Sequence, residues 1–222
     1  MTYLLPIISV LIGFVIALLL KPKNTLGLKL LLAFSGAYLL SITVFEFLPE
    51  TYASGNHQVG LFIMGGILLQ IILEFFSRGA EHGHLHHDET ITKMPWLLLL
   101  SLCIHAMLEG FPLHNRAHLL HGVVLHKIPV AIILSSFLLN SNISRAKSLL
   151  FLLIFALMTP IGSWIAEISP GLIQWEPYIN GVVVGIFLHI STTILFEASK
   201  NHRFNAAKLA AIITGILVAY LI

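Results

Sequence analysis

The sequence predicts an all-α polytopic membrane protein of eight transmembrane helices, and three observations carry that prediction. First, 57% of the 222 residues are hydrophobic and only 10% are charged, against about 25% charged in a soluble domain. With a mean hydropathy of +0.93, the chain has too little polar side chain to cover a water-facing surface. Second, apolar runs of about 20 residues, long enough to cross a bilayer, recur eight times. Third, runs such as Leu97-Leu98-Leu99-Leu100 lack the apolar/polar alternation of a transmembrane barrel, so closed helices are how this backbone satisfies itself in lipid. Residues 1–222 therefore read as a single transmembrane domain with no sizeable soluble part.

The runs fall at 3–20, 28–48, 58–77, 95–113, 119–139, 148–166, 176–198 and 204–222. The first has nothing basic before it and Lys21, Lys23 and Lys29 after it, the reverse of a signal peptide's charge order, so it is expected to stay attached. The second ends in Phe45-Glu46-Phe47-Leu48-Pro49-Glu50, and the third carries Gly65-Gly66, which suits close backbone approach. After it comes the one strongly polar stretch, 78–94. There His82, His84, His86 and His87 with Glu81, Asp88 and Glu89 offer the borderline ligands that suit zinc and similar ions; a solvated acidic loop is the plainer reading. Gly181 and Gly185 in the seventh run are packing residues by default. Trp96, Trp164 and Trp175 lie near segment ends, as interfacial anchors do. Cys103 is the single cysteine and excludes an internal disulfide.

Charge placement orients the bundle. Ten of the 12 basic residues, Lys21, Lys23, Lys29, Arg78, Lys93, Arg145, Lys147, Lys200, Arg203 and Lys208, fall in or beside alternate loops, and the opposite side has only Arg116. The positive-inside rule then makes the four richer loops cytoplasmic, including the His-rich loop, and puts both termini outside. These dispersed charges make no basic face for nucleic acid. The expected partners are the lipid bilayer and a divalent metal ion, with a homodimer left open and a plasma (inner) membrane location.

Ionisable residues in lipid-spanning runs are expensive, about 2.5–3.5 kcal/mol each on insertion scales, and so mark interior sites. In the fourth run His105 and Glu109 stand four residues apart, on one helix face. The fifth adds His126 and Lys127 just before Pro129, whose missing N–H frees an upstream carbonyl. Two histidines and one carboxylate form the three-ligand, open set of an exchangeable zinc site. Protonated imidazoles cannot ligate, so metal binding is expected to weaken on acidification. His114, His118 and His121 occupy the external turn near Arg116, either collecting metal or simply solvated. His189, followed by Ser191-Thr192-Thr193, either lines the path or bonds across helices, and Glu46 either serves the path or reaches external water.

These residues resemble the ZIP metal-ion transporters, eight-helix proteins that move zinc and other divalent metals into the cytoplasm; the chain looks like a divergent, prokaryotic-type member. The family's fourth-helix motif is His-Asn-x-x-acid-Gly, and here His105, Glu109 and Gly110 match while Ala106 replaces the Asn. In the fifth helix His126 and Pro129 match, Lys127 stands where an acid is common, and Val130 or Ala131 replaces a second carboxylate. The ending Leu48-Pro49-Glu50 looks like that of the family's second helix, with Glu46 where a His is frequent, and Thr159-Pro160 lies where an acid-Pro pair is often found. Full-set members are understood to hold two adjacent metals bridged by carboxylates. With those carboxylates missing, the resemblance implies a single-metal pathway through His105, Glu109 and His126. Lys127 then either supplies a fixed positive charge in the role of the second ion or merely pairs with Glu109.

The expected function is transport of zinc or a similar divalent ion into the cytoplasm, with the metal as substrate, no organic cofactor and no catalysis. Two alternatives stand beside it. An intramembrane metal-dependent hydrolase would also use helix-borne histidines and an acid, although no His-Glu-x-x-His occurs. A non-transporting relative would sense metal through the loop bearing His82 to His87.

Overall fold

The computed structural model describes residues 1–20, 26–53, 55, 57–77, 94–114, 116–197 and 206–222. They form eight helical segments in the expected order: α1 (Leu4–Leu20), α2 (Leu26–Tyr52), α3 (Val59–Ser77), α4 (Trp96–Gly110), α5 (Ala117–Asn140), α6 (Arg145–Ile168), α7 (Glu176–Glu197) and α8 (Ala206–Leu221). Short 3-10 turns, Phe111–Leu113 and Pro170–Trp175, extend α4 and precede α7. Six of the helices, taken with these turns, are long and apolar enough to cross a membrane, and α1 and α8 are shorter apolar helices. Among the described residues there is no strand. The His-rich stretch containing His82, His84, His86 and His87 lies outside the described residues.

The helices are apolar on both faces, so burial rather than polarity distinguishes inside from outside. On α3 Leu61, Leu68 and Phe75, spaced seven apart, are exposed, whereas Ile63, Gly66, Gln70 and Leu73 are buried. The outward stripe is what lipid would cover; the inward one meets α7, where a Cβ on Gly66 would collide with the backbone of Val182 and one on Gly185 with that of Ile63. Gly65, beside them, faces open space. Trp96, Trp164 and Trp175 are exposed at helix ends.

Two apolar clusters fill the interior. One gathers Leu39, Ile42, Phe47, Val123, Ile133, Val183, Phe187 and Ile190 from α2, α5 and α7. The other gathers Leu102, Ala106, Val130, Leu134, Phe151 and Phe155 from α4, α5 and α6. Helix α5 feeds both and is the most enclosed of the six spanning helices. Its buried charges therefore sit where the clusters meet.

Near its end α2 widens into a π turn over Thr43–Phe47, in which Leu48 N–H donates to Thr43 O. The cause is local: Pro49 has no N–H and its ring crowds the carbonyl four residues back, which the wider turn relieves. One extra residue in the turn rotates Glu46 to the side of the helix facing the start of α5.

Among the described residues the basic side chains gather at one end of the bundle, apart from Arg116 and the buried Lys127. Contacts among Glu46 and His118, Glu50 and Arg116, and Arg116 and Glu176 bring the end of α2 to the starts of α5 and α7. At the other end lie Lys29, Arg145 and Lys147, together with Lys208, whose Nζ donates to Leu195 O on α7 at 2.7 Å. A cation on late-helix carbonyls suits the negative end of the α7 dipole.

Candidate metal site

The site begins with two glycines. A Cβ at Gly110 would collide with the carbonyl of Thr159, and one at Gly162 with the carbonyl of Met107. Only hydrogen side chains let α4 and α6 approach this closely, and that approach delivers Thr159 to Glu109. The Thr159 hydroxyl lies 2.7 Å from Glu109 Oε1 and 3.0 Å from Ala106 O. Thr159 stands in the sequence where an acid is often found; in the fold its hydroxyl is a donor to the acid of α4.

Around Glu109 the charges close up. Lys127 Nζ lies 2.5 Å from Oε1, with side-chain exposures of 2% and 1%, so this pair is wholly desolvated. The ammonium also stands 4.5 Å from the centroid of the Phe155 ring, a cation–π contact that helps carry a cation out of water. On the opposite carboxylate oxygen, Oε2, His105 Nε2 lies at 3.4 Å. Glu109 is thus divided: Oε1 is taken by Lys127 and Thr159, while Oε2 faces an imidazole.

That 3.4 Å has a chemical meaning. Two ligands of one tetrahedral zinc, each about 2.0–2.1 Å from it, stand roughly 3.3 Å from one another. His105 Nε2 and Glu109 Oε2 therefore already span one edge of such a site, and the donor set, imidazole plus carboxylate, fits zinc and its neighbours. His126 is buried one residue before Lys127, above the carbonyl of Leu125 that Pro129 leaves without its helical donor. Among the described residues, no group of three His, Cys, Asp or Glu side chains is gathered as an ion-holding cluster. The observed conformation thus brings two candidate ligand groups together, with His126 on the neighbouring helix.

Four of the remaining candidates, Glu46, His114, His118 and His189, pair elsewhere, and His121 is exposed. Glu46 and His118 meet at 2.9 Å at the acidic end, half exposed. There Arg116 bridges Glu50 and Glu176 at 2.8 and 2.9 Å and lies 5.7 Å from the Phe47 ring centroid. Burial pulls its guanidinium pKa down, but the two carboxylates outweigh that and hold it above its ordinary value. His114 stands 4.0 Å from Glu167, which also accepts from Tyr3. His189 pairs with Glu74 of α3 at 2.6 Å. Glu74 escaped the sequence reading: it sits three residues from the end of an apolar run and its partner is 115 residues away. The available signal was its position one turn after Gln70, a second polar residue in the same run.

Residues 77–222 match the family model described as "ZIP Zinc transporter", a span that includes His105, Glu109, Lys127 and Thr159 and excludes Glu46 and Glu74. No curated protein matches the chain.

Proposed function

Since the chain belongs to the ZIP zinc transporter family, and is by that membership a membrane transporter of zinc or a similar divalent metal, we propose that it carries the ion into the cytoplasm through a single-metal site. His105 and Glu109 are the first two ligands and His126 the third, brought in as the site changes its exposure between the two sides of the membrane. The observation that carries this reading is the division of Glu109, with one oxygen neutralised by Lys127 and the other at ligand distance from His105. Lys127 then stands where a second cation would bridge the carboxylate, and metal binds on the Oε2 side without displacing it.

The charge asymmetry supports direction and placement. The basic end faces the cytoplasm of a plasma (inner) membrane, the acidic end faces outward, and both termini are external. Outside, Glu46 with His118 offers a first contact to an arriving cation, half exposed and so easily rehydrated.

Sealed proteoliposomes test the proposal. Zinc, iron, manganese and cadmium are offered outside, and uptake is followed in the wild type, His105→Ala, Glu109→Ala and His126→Ala. Loss of flux in all three is expected; flux unchanged in His105→Ala and Glu109→Ala overturns the site. The buried Lys127–Glu109 pair also favours a second reading, a relative that binds metal without moving it, and absence of wild-type flux with metal still bound would select it.

A further inference from the structure

At the acidic end one guanidinium is shared by carboxylates from two other helices. Arg116, the residue before α5, sets Nε 3.0 and 3.1 Å from the two oxygens of Glu50 at the end of α2. Its Nη2 lies 2.8 Å from Glu50 Oε1 and 2.9 Å from Glu176 Oε1 at the start of α7. The remaining nitrogen, Nη1, donates to Pro112 O at 2.9 Å, in the turn that extends α4. We propose that Arg116 is an ionic latch that holds the outer end of the bundle shut, and that its release from Glu50 and Glu176 opens the acidic side toward the central site; this rests on the reading that the site changes its exposure between the two sides of the membrane.

Three features support it. The first is what the contact spans. Close approaches at glycine join α2 to α7 at Gly36, α2 to α8 at Gly215 and α3 to α7 at Gly66 and Gly185; others join α1 to α5 at Gly13 and α4 to α6 at Gly110 and Gly162. Where α5 meets α2, by contrast, the atoms nearest a Cβ on Gly122 belong to the side chains of Leu39 and Tyr38. Helices packed through side chains can shift past one another by small repacking steps. Arg116 ties across that boundary, and its bond to Pro112 O keeps the guanidinium placed on its own side when the two carboxylates let go.

The second is what lies beneath. The guanidinium stands 5.7 Å from the centroid of the Phe47 ring, and that ring lies 6.3 Å from Phe187 of α7. Phe47, Leu39 and Val123 are at most 2% exposed, so apolar side chains close the level of α5 between Arg116 and Lys127. The third is strength. Glu50 and Glu176 are about half exposed, at 52% and 51%. A tie to such a carboxylate shifts an equilibrium by about fivefold at most. Two of them hold a closed state yet still release within a working cycle, which the dry Lys127 and Glu109 pair could not do.

The test is thiol accessibility of the purified full chain in lipid nanodiscs, without metal, in a Cys103→Ser background. Each protein carries one reporter: Val123→Cys, about two turns inward of Arg116, or Ile133→Cys, about three turns deeper. A charged, membrane-impermeant thiosulfonate is the probe. Arg116→Gln is expected to raise the labelling rate at position 123 by about three- to tenfold, the range two exposed ties allow, and to leave position 133 unchanged or slower. Glu50→Gln combined with Glu176→Gln alters only half-exposed side chains, so it guards against a folding failure of Arg116→Gln and is expected to give the same result. Raising salt to about 0.5 M should speed labelling at position 123 when Arg116 is present and have less effect in Arg116→Gln, as screening of an ion pair requires. Equal rates at position 123 with and without Arg116 overturn the latch. A rise at both positions identifies a brace of the whole fold and overturns it as well. Because labelling is read without metal, absent zinc flux would sink the transport reading and leave this result standing, while a failed latch leaves the site at His105 and Glu109 intact.

Discussion

Lys127 and Glu109 form an ion pair of 2.5 Å across α4 and α5, each with its side chain at most 2% exposed. A pair this dry has little attraction to spare over its desolvation, and breaking it by removing one partner leaves a buried charge that costs about 3–5 kcal/mol. Lys127→Met is therefore expected to destabilise the protein by that order in a denaturation series, and Lys127→Met with Glu109→Gln to recover most of the loss. Zinc should stabilise Lys127→Met more than the wild type, because the ion then supplies the missing positive charge to Glu109. If zinc stabilises both equally and one ion is bound by each, Lys127 is a packing partner and not a stand-in for metal.

Thr159 is predicted to matter through a single hydrogen. Thr159→Val keeps the shape but removes the donor 2.7 Å from Glu109 Oε1, leaving a charged acceptor short of one bond, a loss of about 1–3 kcal/mol. Thr159→Ser retains the donor and should stay near wild type. Denaturation midpoints of the two variants side by side separate the hydrogen bond from simple packing.

Gly162→Ala adds one methyl where the Met107 carbonyl already stands. Forcing α4 from α6 costs about 1–3 kcal/mol as overpacking and lengthens the Thr159 to Glu109 bond. Gly65→Ala, in open space, is the control with no such cost. The expected signature in Gly162→Ala is weaker metal binding together with a lower melting temperature.

At the acidic end the expected effects are kinetic. Glu46 and His118 are each about half exposed, so Glu46→Gln and His118→Gln should change stability by less than about 1 kcal/mol. As a first contact for the cation they should raise the half-saturating metal concentration in initial-rate uptake and leave the maximal rate close to wild type. The effect should shrink as salt screens the exposed carboxylate. An unchanged half-saturation in both variants would remove the pair from the path.

The His105 and Glu109 pairing was legible because both members lie on one helix, where spacing of four residues dictates a shared face. Glu74 and His189 were not, since nothing local relates residues on α3 and α7. His189 looked ambiguous and Glu74 went unnoticed. Thr159 carried a signal of the opposite sense, as an acid missing from a familiar place, and only the α4–α6 approach at Gly110 and Gly162 shows it acting as a donor to the acid that remains.

By itself the sequence determined the helical class, the eight segments in their order and the gathering of the basic residues in alternate loops. Each follows from a one-dimensional quantity: the length of an apolar run against the bilayer thickness, or the count of cations between runs. Tertiary structure alone decided which buried charges meet. Lys127 had two readings open along the chain; the fold sets its ammonium on Glu109 Oε1 and leaves Oε2 to His105. The physical reason is that in a buried site a charge must find a partner or pay its desolvation, and the choice of partner depends on how closely two backbones approach, which no pattern along one helix records.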